Sequence, residues 1–184
     1  RQIHALPAPA GQEDWASRFN RKTDRKIKAY QACGLRFAGD EYILTYLARQ
    51  RALLNHRPQC FQHGDYHVGN MLLEQGQLRI IDFDRCDYGD PWEEFNRIVW
   101  SAAVSPAFAT GQLDGYFEGQ PPLAFFRLLA FYIASNSLSA MCWAIPFGPA
   151  QIAVMRQQAQ DILTWFDHMH QPVPSWYRKD LHSQ

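Results

Sequence analysis

His63-Gly64-Asp65-Tyr66-His67-Val68-Gly69-Asn70, followed by Ile80-Ile81-Asp82-Phe83-Asp84, is the stretch from which the fold is read. Two short apolar runs, 70–73 and 78–81, flank Glu74-Gln75-Gly76-Gln77, which together signal a β-hairpin. Pairing them brings Asn70, at the start of one run, near Asp82, at the end of the other, with Asp65 in the loop just before. Loop positions held by a rigid element are where reactive side chains concentrate. The chemistry of the set is specific. One carboxylate can receive or orient a hydroxyl proton, while an amide oxygen and a second carboxylate suit Mg²⁺, which completes its shell with phosphate oxygens and water. Phosphoryl transfer to an alcohol calls for this combination.

The stretch resembles the catalytic and metal-binding loops of the aminoglycoside phosphotransferase family, relatives of the protein kinases. The kinase pattern H-R-D-x-x-x-x-N, then D-F-G, stands here as His63-Gly64-Asp65 with Asn70 five residues after the Asp, and Asp82-Phe83-Asp84. Gly64 in place of Arg, His67 after the Asp and the run Gly89-Asp90-Pro91 fit the antibiotic-kinase form. The likeness extends from Gln2-Ile3-His4-Ala5-Leu6-Pro7 to the last helical stretch. Two positions depart from it: Asp84 replaces the Gly of D-F-G, and Val68 stands where the family commonly has Pro. The absent Arg argues against control by activation-loop phosphorylation.

The resemblance implies a role for each residue. Asp65 is the catalytic base or hydroxyl-orienting group. Asn70 and Asp82 hold Mg²⁺, with Asp84 as a further metal contact or a loop cap. His63, at the cofactor site, braces the loop by hydrogen bonds. His67 approaches the transferring phosphoryl group, where a cation would stabilise developing charge. The implied donor is ATP or another nucleoside triphosphate, and the acceptor a hydroxylated small molecule. Aminoglycosides come first, with another small alcohol, a macrolide or a protein side chain as alternatives. Asp87, Asp90, Glu93, Glu94, Asp114 and Glu118 would suit a carboxylate-lined pocket for a polycation, although solvated helix acids explain them equally. A degenerate kinase-like lobe used only for binding is the non-catalytic reading; the intact Asp65, Asn70 and Asp82 stand against it.

A kinase also needs a lobe that covers the nucleotide. No G-x-G-x-x-G, no G-x-x-x-x-G-K-[ST] and no β-rich segment precedes the catalytic loop. The chain therefore reads as the C-terminal lobe of a kinase-like phosphotransferase, with the N-terminal nucleotide-covering lobe absent and expected as its partner. The fold class is mainly α with a small β-hairpin element (α+β), in one domain over 1–184. It comprises a catalytic loop at 63–70, a metal loop at 82–90 and C-terminal helices over about 91–170. Alone, it is expected to bind Mg-ATP weakly and turn over slowly or not at all.

Composition agrees with a single core: 47% of the 184 residues are hydrophobic and 14% aromatic. A net charge of zero sets no field toward nucleic acid or an anionic membrane, and the basic run from Arg18 to Lys28 reads as a solvated helix face. Cys33, Cys60, Cys86 and Cys142 are dispersed, which fits a reduced, cytoplasmic setting better than disulfides or zinc. No signal peptide and no apolar run long enough to cross a bilayer is recognised. The apolar stretch 140–147, closed by Pro146 and Gly148, is expected in the core. Cys86 is expected as a small buried side chain, and His168 and His170, two apart, as poor metal ligands.

Helices are expected over 13–19 and 23–33, the second ending at Gly34, and over 41–55 with Asp40 as cap. Asp90-Pro91-Trp92-Glu93 is a helix start, with Asp90 as N-cap, Pro91 at the first position and Glu93 closing a capping box. Asp90 could be a cap alone, a brace for the catalytic loop, or both. Further helices are expected from Ser105-Pro106 to about 118, from Pro121-Pro122 to 138, and over 149–169 with Met155, Ala159, Ile162 and Phe166 on one face. Trp176-Tyr177 is expected to pack back.

Overall fold

The computed structural model describes residues 1–178, so the last six positions of the 1–184 span lie outside the described residues. Its axis is the helix α5, Leu123–Ala144, buried from Phe125 to Leu138 except at Arg127 and Asn136. A helix apolar on nearly every side belongs in an interior, and α1 (Trp15–Ala32), α2 (Asp40–Arg49) and α6 (Pro149–Trp165) pack against it. The stretch Leu123–Phe147 is long and apolar enough to cross a membrane, contrary to the sequence expectation. However, its most apolar window is 67% buried inside the protein, which makes it the core helix.

Several boundaries differ from expectation for local reasons. α1 is one continuous helix, not two. No Gly or Pro interrupts it, Asp14 caps it by accepting from the Ser17 N–H at 2.9 Å, and Trp15, Phe19, Thr23 and Tyr30 form one buried face along its length. The cap of α2 is Gly39, while Asp40 accepts a 2.6 Å hydrogen bond from the Tyr30 hydroxyl. α2 stops at Arg49, and a 3₁₀ turn, Arg51–Leu54, carries Leu54 into the core. After Asp90 the chain forms a 3₁₀ segment, Glu93–Arg97, before α3, Ile98–Val104. α4, Pro106–Phe117, starts where expected, and Ser105 caps it by accepting from the Phe108 N–H at 3.2 Å. α5 runs on past residue 138 until Pro146 stops it. α6 ends at Trp165 rather than near 169, because Asp167, His168 and Met169 take left-handed φ values of 46°, 51° and 66°.

Two expectations about burial are overturned. In 140–147 only Met141 and Ala144 are in the core, and Trp143, Ile145 and Phe147 are 51%, 43% and 60% exposed. Cys86 is exposed, not buried, and all four cysteines are unpaired. Trp176 does pack back, 3% exposed, and the Tyr177 hydroxyl donates to Asp114 at 2.7 Å.

Two small antiparallel sheets frame the loops. β2 (Met71–Glu74) pairs with β3 (Gln77–Ile80) in the expected hairpin, Met71 opposite Ile80. Gln75 and Gly76 both have positive φ, 49° and 77°, the backbone of a type I′ two-residue turn. The second sheet, unforeseen, pairs β1 (Cys60–Gln62) with β4 (Asp87–Gly89) and pinches together the base of the segment between them.

Candidate active site

His63, fully buried, follows β1 directly. Its Nδ1 accepts from the Asp65 N–H at 3.2 Å, and its Nε2 lies 2.8 Å from the Ile81 carbonyl. A carbonyl only accepts, so Nε2 carries the proton and the ring is the neutral tautomer, tying the catalytic loop to the metal loop. Glu94, 4% exposed, holds the same turn from beneath: its two oxygens accept from the His63 N–H at 2.6 Å and the Gly64 N–H at 2.9 Å. Gly64 has φ 83°, and a Cβ there would lie 1.9 Å from the Arg85 carbonyl oxygen. Contact between the two loops thus explains why the kinase Arg is replaced by Gly.

The Asp65 side chain is 17% exposed. Arg97 Nε lies 3.1 Å from one carboxylate oxygen without the alignment of a hydrogen bond, and His67 Nε2 lies 3.7 Å from the other. His67 Nδ1 accepts from the Gly69 N–H at 3.0 Å, capping the 3₁₀ turn Val68–Asn70. Asn70 donates its Nδ2 to the Asp65 carbonyl at 3.0 Å, and its backbone carbonyl accepts from the Ile81 N–H at 3.1 Å. Hydrogen bonds therefore link Asp65 to Asn70, and Asn70 to the residue before Asp82.

Asp82 is exposed in a left-handed conformation, φ 64°, which Asp tolerates better than most residues. Its neighbour Phe83 anchors the turn against His63 (ring centroids 4.4 Å apart) and Phe61. Asp84 is also exposed, and neither Asp82 nor Asp84 makes a hydrogen bond or ion pair among the described residues. With its Nδ2 engaged, Asn70 keeps its amide oxygen available. These hard oxygen donors fit Mg²⁺. Among the described residues no group of three or more His, Cys, Asp or Glu gathers. His168 and His170 lie elsewhere, edge-on to Tyr42.

Asp90, fully buried, is a brace and not the expected helix N-cap: the 3₁₀ segment Glu93–Arg97 has Trp92 at its N-cap position with no side-chain cap bond, and Asp90 closes only the turn before it. Its carboxylate accepts from the Trp92 N–H at 3.0 Å, from Arg57 at 2.6 and 2.9 Å, and from the Tyr132 hydroxyl at 2.6 Å. Its carbonyl accepts from Gln62, the residue before the catalytic loop, at 2.7 Å. Burial first, and then the neighbouring Asp90 charge, push the Tyr132 hydroxyl well above its ordinary pKa. The other acids singled out as pocket candidates are engaged too. Asp87 pairs with Arg18, Glu93 with Lys22 at 3.6 Å and Glu118 with Arg1, and Asp114 accepts from Tyr177.

A cavity of about 270 Å³ opens beside the catalytic loop, between α1, the loop and α5, with Lys26, Gly64, Arg85 and Arg97 on its wall. Burial, then repulsion from Lys22, lower the Lys26 ammonium to about 7. A larger, mainly apolar cavity of about 700 Å³ lies between the hairpin, the Ile3–Ala5 turn and α4.

Arg57, Tyr132, Arg97 and Lys26 were not legible as site residues, and Glu94 was read only as a pocket acid. Arg57 and Tyr132 meet Asp90 across 33 and 42 residues, separations with no local pattern. For Glu94 a weak signal existed: a second acid directly after Glu93, just past Asp90-Pro91.

A family model described as "Phosphotransferase enzyme family" matches residues 1–126. No curated protein matches at the same stringency. Among solved structures, the apo form of a thermostable mutant of aminoglycoside phosphotransferase APH(4)-Ia is similar, with a TM-score of 0.61 at 19% identity over 82% of this chain and 52% of its own. Its ternary complex with ADP and hygromycin B gives 0.60 at 17% identity, covering 83% and 52%. A further ternary complex, with AMP-PNP and hygromycin B, gives 0.53 at 20% identity, covering 68% and 43%. The chain spans about half the length of these neighbours.

Proposed function

Because the chain belongs to the phosphotransferase enzyme family, we propose that it is the helical catalytic lobe of an ATP-dependent small-molecule O-phosphotransferase. One observation carries the reading: Asp65, Asn70 and the residue preceding Asp82 are tied into one hydrogen-bonded unit across two loops. Asp65 orients the acceptor hydroxyl and takes its proton as the oxygen attacks the γ-phosphorus. The bond to the β–γ bridging oxygen breaks, and the nucleoside diphosphate leaves with the electron pair. Arg97 and His67 hold the Asp65 carboxylate in place. The Asn70 amide oxygen and the Asp82 carboxylate would hold Mg²⁺, with Asp84 beside them, and the bound ion would supply charge neutralisation on the phosphate oxygens. His63 keeps the two loops in register.

Complexes of the neighbours with ADP or AMP-PNP support nucleotide use, and their hygromycin B supports a polyhydroxylated acceptor. The remainder of such an enzyme would supply the cover over the nucleotide, and the unpaired thiols support a cytoplasmic setting. The test is a transfer assay with γ-labelled ATP on the enzyme carrying this lobe, against a panel of hydroxylated small molecules. Asp65→Asn is expected to lower kcat by about 10²–10⁴, the usual worth of a positioned general base. Labelled product formed equally well by Asp65→Asn would refute the assignment.

A further inference from the structure

We propose that the acceptor bears an anionic group, a carboxylate or a phosphate, seated in the cavity between α1, the catalytic loop and α5 with Lys26 as its main charge partner. The inference deepens the phosphotransferase reading and rests on it for the word acceptor. The cavity adjoins the catalytic loop: Gly64, the residue before Asp65, is part of its wall, and so is Arg97, whose Nε lies 3.1 Å from the Asp65 carboxylate. Its charged wall consists of Arg18, Lys22, Lys26, Arg85 and Arg97 against two acids, Asp87 and Glu93. Both acids are already paired, Asp87 with Arg18 and Glu93 with Lys22. Arg97 faces Asp65. Lys26 and Arg85 are left with no carboxylate within ion-pair distance among the described residues.

The neutral polar groups of the wall match an anion as well. Asn136 reaches it from α5 with a side-chain NH₂ that can donate, while the Ser139 hydroxyl beside it donates to the Asn136 carbonyl at 2.9 Å. Lys26 sits one helical turn after Lys22, a like-charge pair that destabilises unless something negative comes between. Its ammonium is depressed to about 7, by burial first and by Lys22 and Arg97 after it, with Glu93 opposing. A polycation would find no free carboxylate here.

The test has two arms. In the first, protein labelled with ¹³C at lysine is titrated with inorganic phosphate and read by NMR. The Lys26 signal is expected to move, and its midpoint to rise by at least one pH unit at saturation. Lys26→Met should remove the response, and Lys28→Met, at an exposed position of α1, should keep it. In the second, the enzyme carrying this lobe is offered glycerol, glycerate, glycerol 3-phosphate and hygromycin B. An anionic alcohol is expected to exceed glycerol at least tenfold in kcat/KM, and Lys26→Met should erase the preference through KM. A phosphate response confined to surface lysines, or hygromycin B preferred with Lys26→Met unaffected, overturns the proposal. Phosphate binding at Lys26 with no acceptor phosphorylated supports the anion site while refuting the phosphotransferase reading.

Discussion

Glu94→Gln isolates the support beneath the catalytic loop. In the native protein the two Glu94 oxygens accept from the His63 and Gly64 N–H groups at 2.6 and 2.9 Å in a buried setting, with His4 Nε2 at 3.5 Å. Gln keeps the shape but replaces one oxygen with an NH₂ group, so one backbone N–H faces a donor. A buried donor left unsatisfied costs ~1–3 kcal/mol, and converting the other bond from charged to neutral removes a further ~1 kcal/mol. The expected loss is ~3 kcal/mol, a large part of a domain's ~5–15 kcal/mol. With a urea slope of ~2 kcal/mol per molar, the unfolding midpoint, followed by tryptophan fluorescence, should fall by about 1.5 M. Glu93→Gln is the control: Glu93 faces a half-exposed Lys22 at 3.6 Å and accepts only a long 3.4 Å bond from Gln62 that an amide oxygen can keep, so it should cost under ~1 kcal/mol. A Glu94→Gln midpoint indistinguishable from wild type would refute the claim that this carboxylate positions the loop.

Gly64→Ala forces a Cβ to 1.9 Å from the Arg85 carbonyl at a left-handed φ; the loop must shift, and activity should drop at least tenfold while the melting temperature falls by several degrees. Asp90→Ala leaves Arg57 and the Tyr132 hydroxyl without their partner and should cost ~3–5 kcal/mol, read by urea unfolding. Lys26→Met tests the depressed ammonium. With a folded pKa near 7 against 10.5 unfolded, the unfolded chain binds the extra proton above pH 7. Stability should therefore rise with pH from 7 to 9, by up to ~1 kcal/mol per unit from this group. The variant should be the more stable of the two below pH 7 and lack that part of the slope.

The hairpin and the Asp65–Asn70–Asp82 set were legible because every part of the signal is local: two apolar runs, a Gly-containing turn and a fixed spacing. The start of α4 at Ser105-Pro106 and the buried α6 face were legible for the same reason. Long-range partnerships were not. Nothing near Asp90 in the chain announces Arg57 or Tyr132, and nothing near Gln62 announces the β1–β4 pairing. Reading α1 as two helices gave weight to the polar run 20–22, which tertiary burial of Trp15, Phe19 and Thr23 overrides. Apolar composition misled at 140–147, where Trp143, Ile145 and Phe147 face outward. The acids after the metal loop looked available because a sequence shows charges but not their partners.

The most direct test of the account places a paramagnetic ion in the site. Mn²⁺ with AMP-PNP, titrated into the ¹⁵N-labelled chain at millimolar concentration, should broaden the amide signals of 63–70 and 81–84 and the Asn70 side-chain amide first, with weak affinity. Asp82→Asn should abolish that broadening while leaving the rest of the spectrum unchanged. Broadening centred away from these loops, or unaltered in Asp82→Asn, would contradict a shared site for Asp65, Asn70 and Asp82.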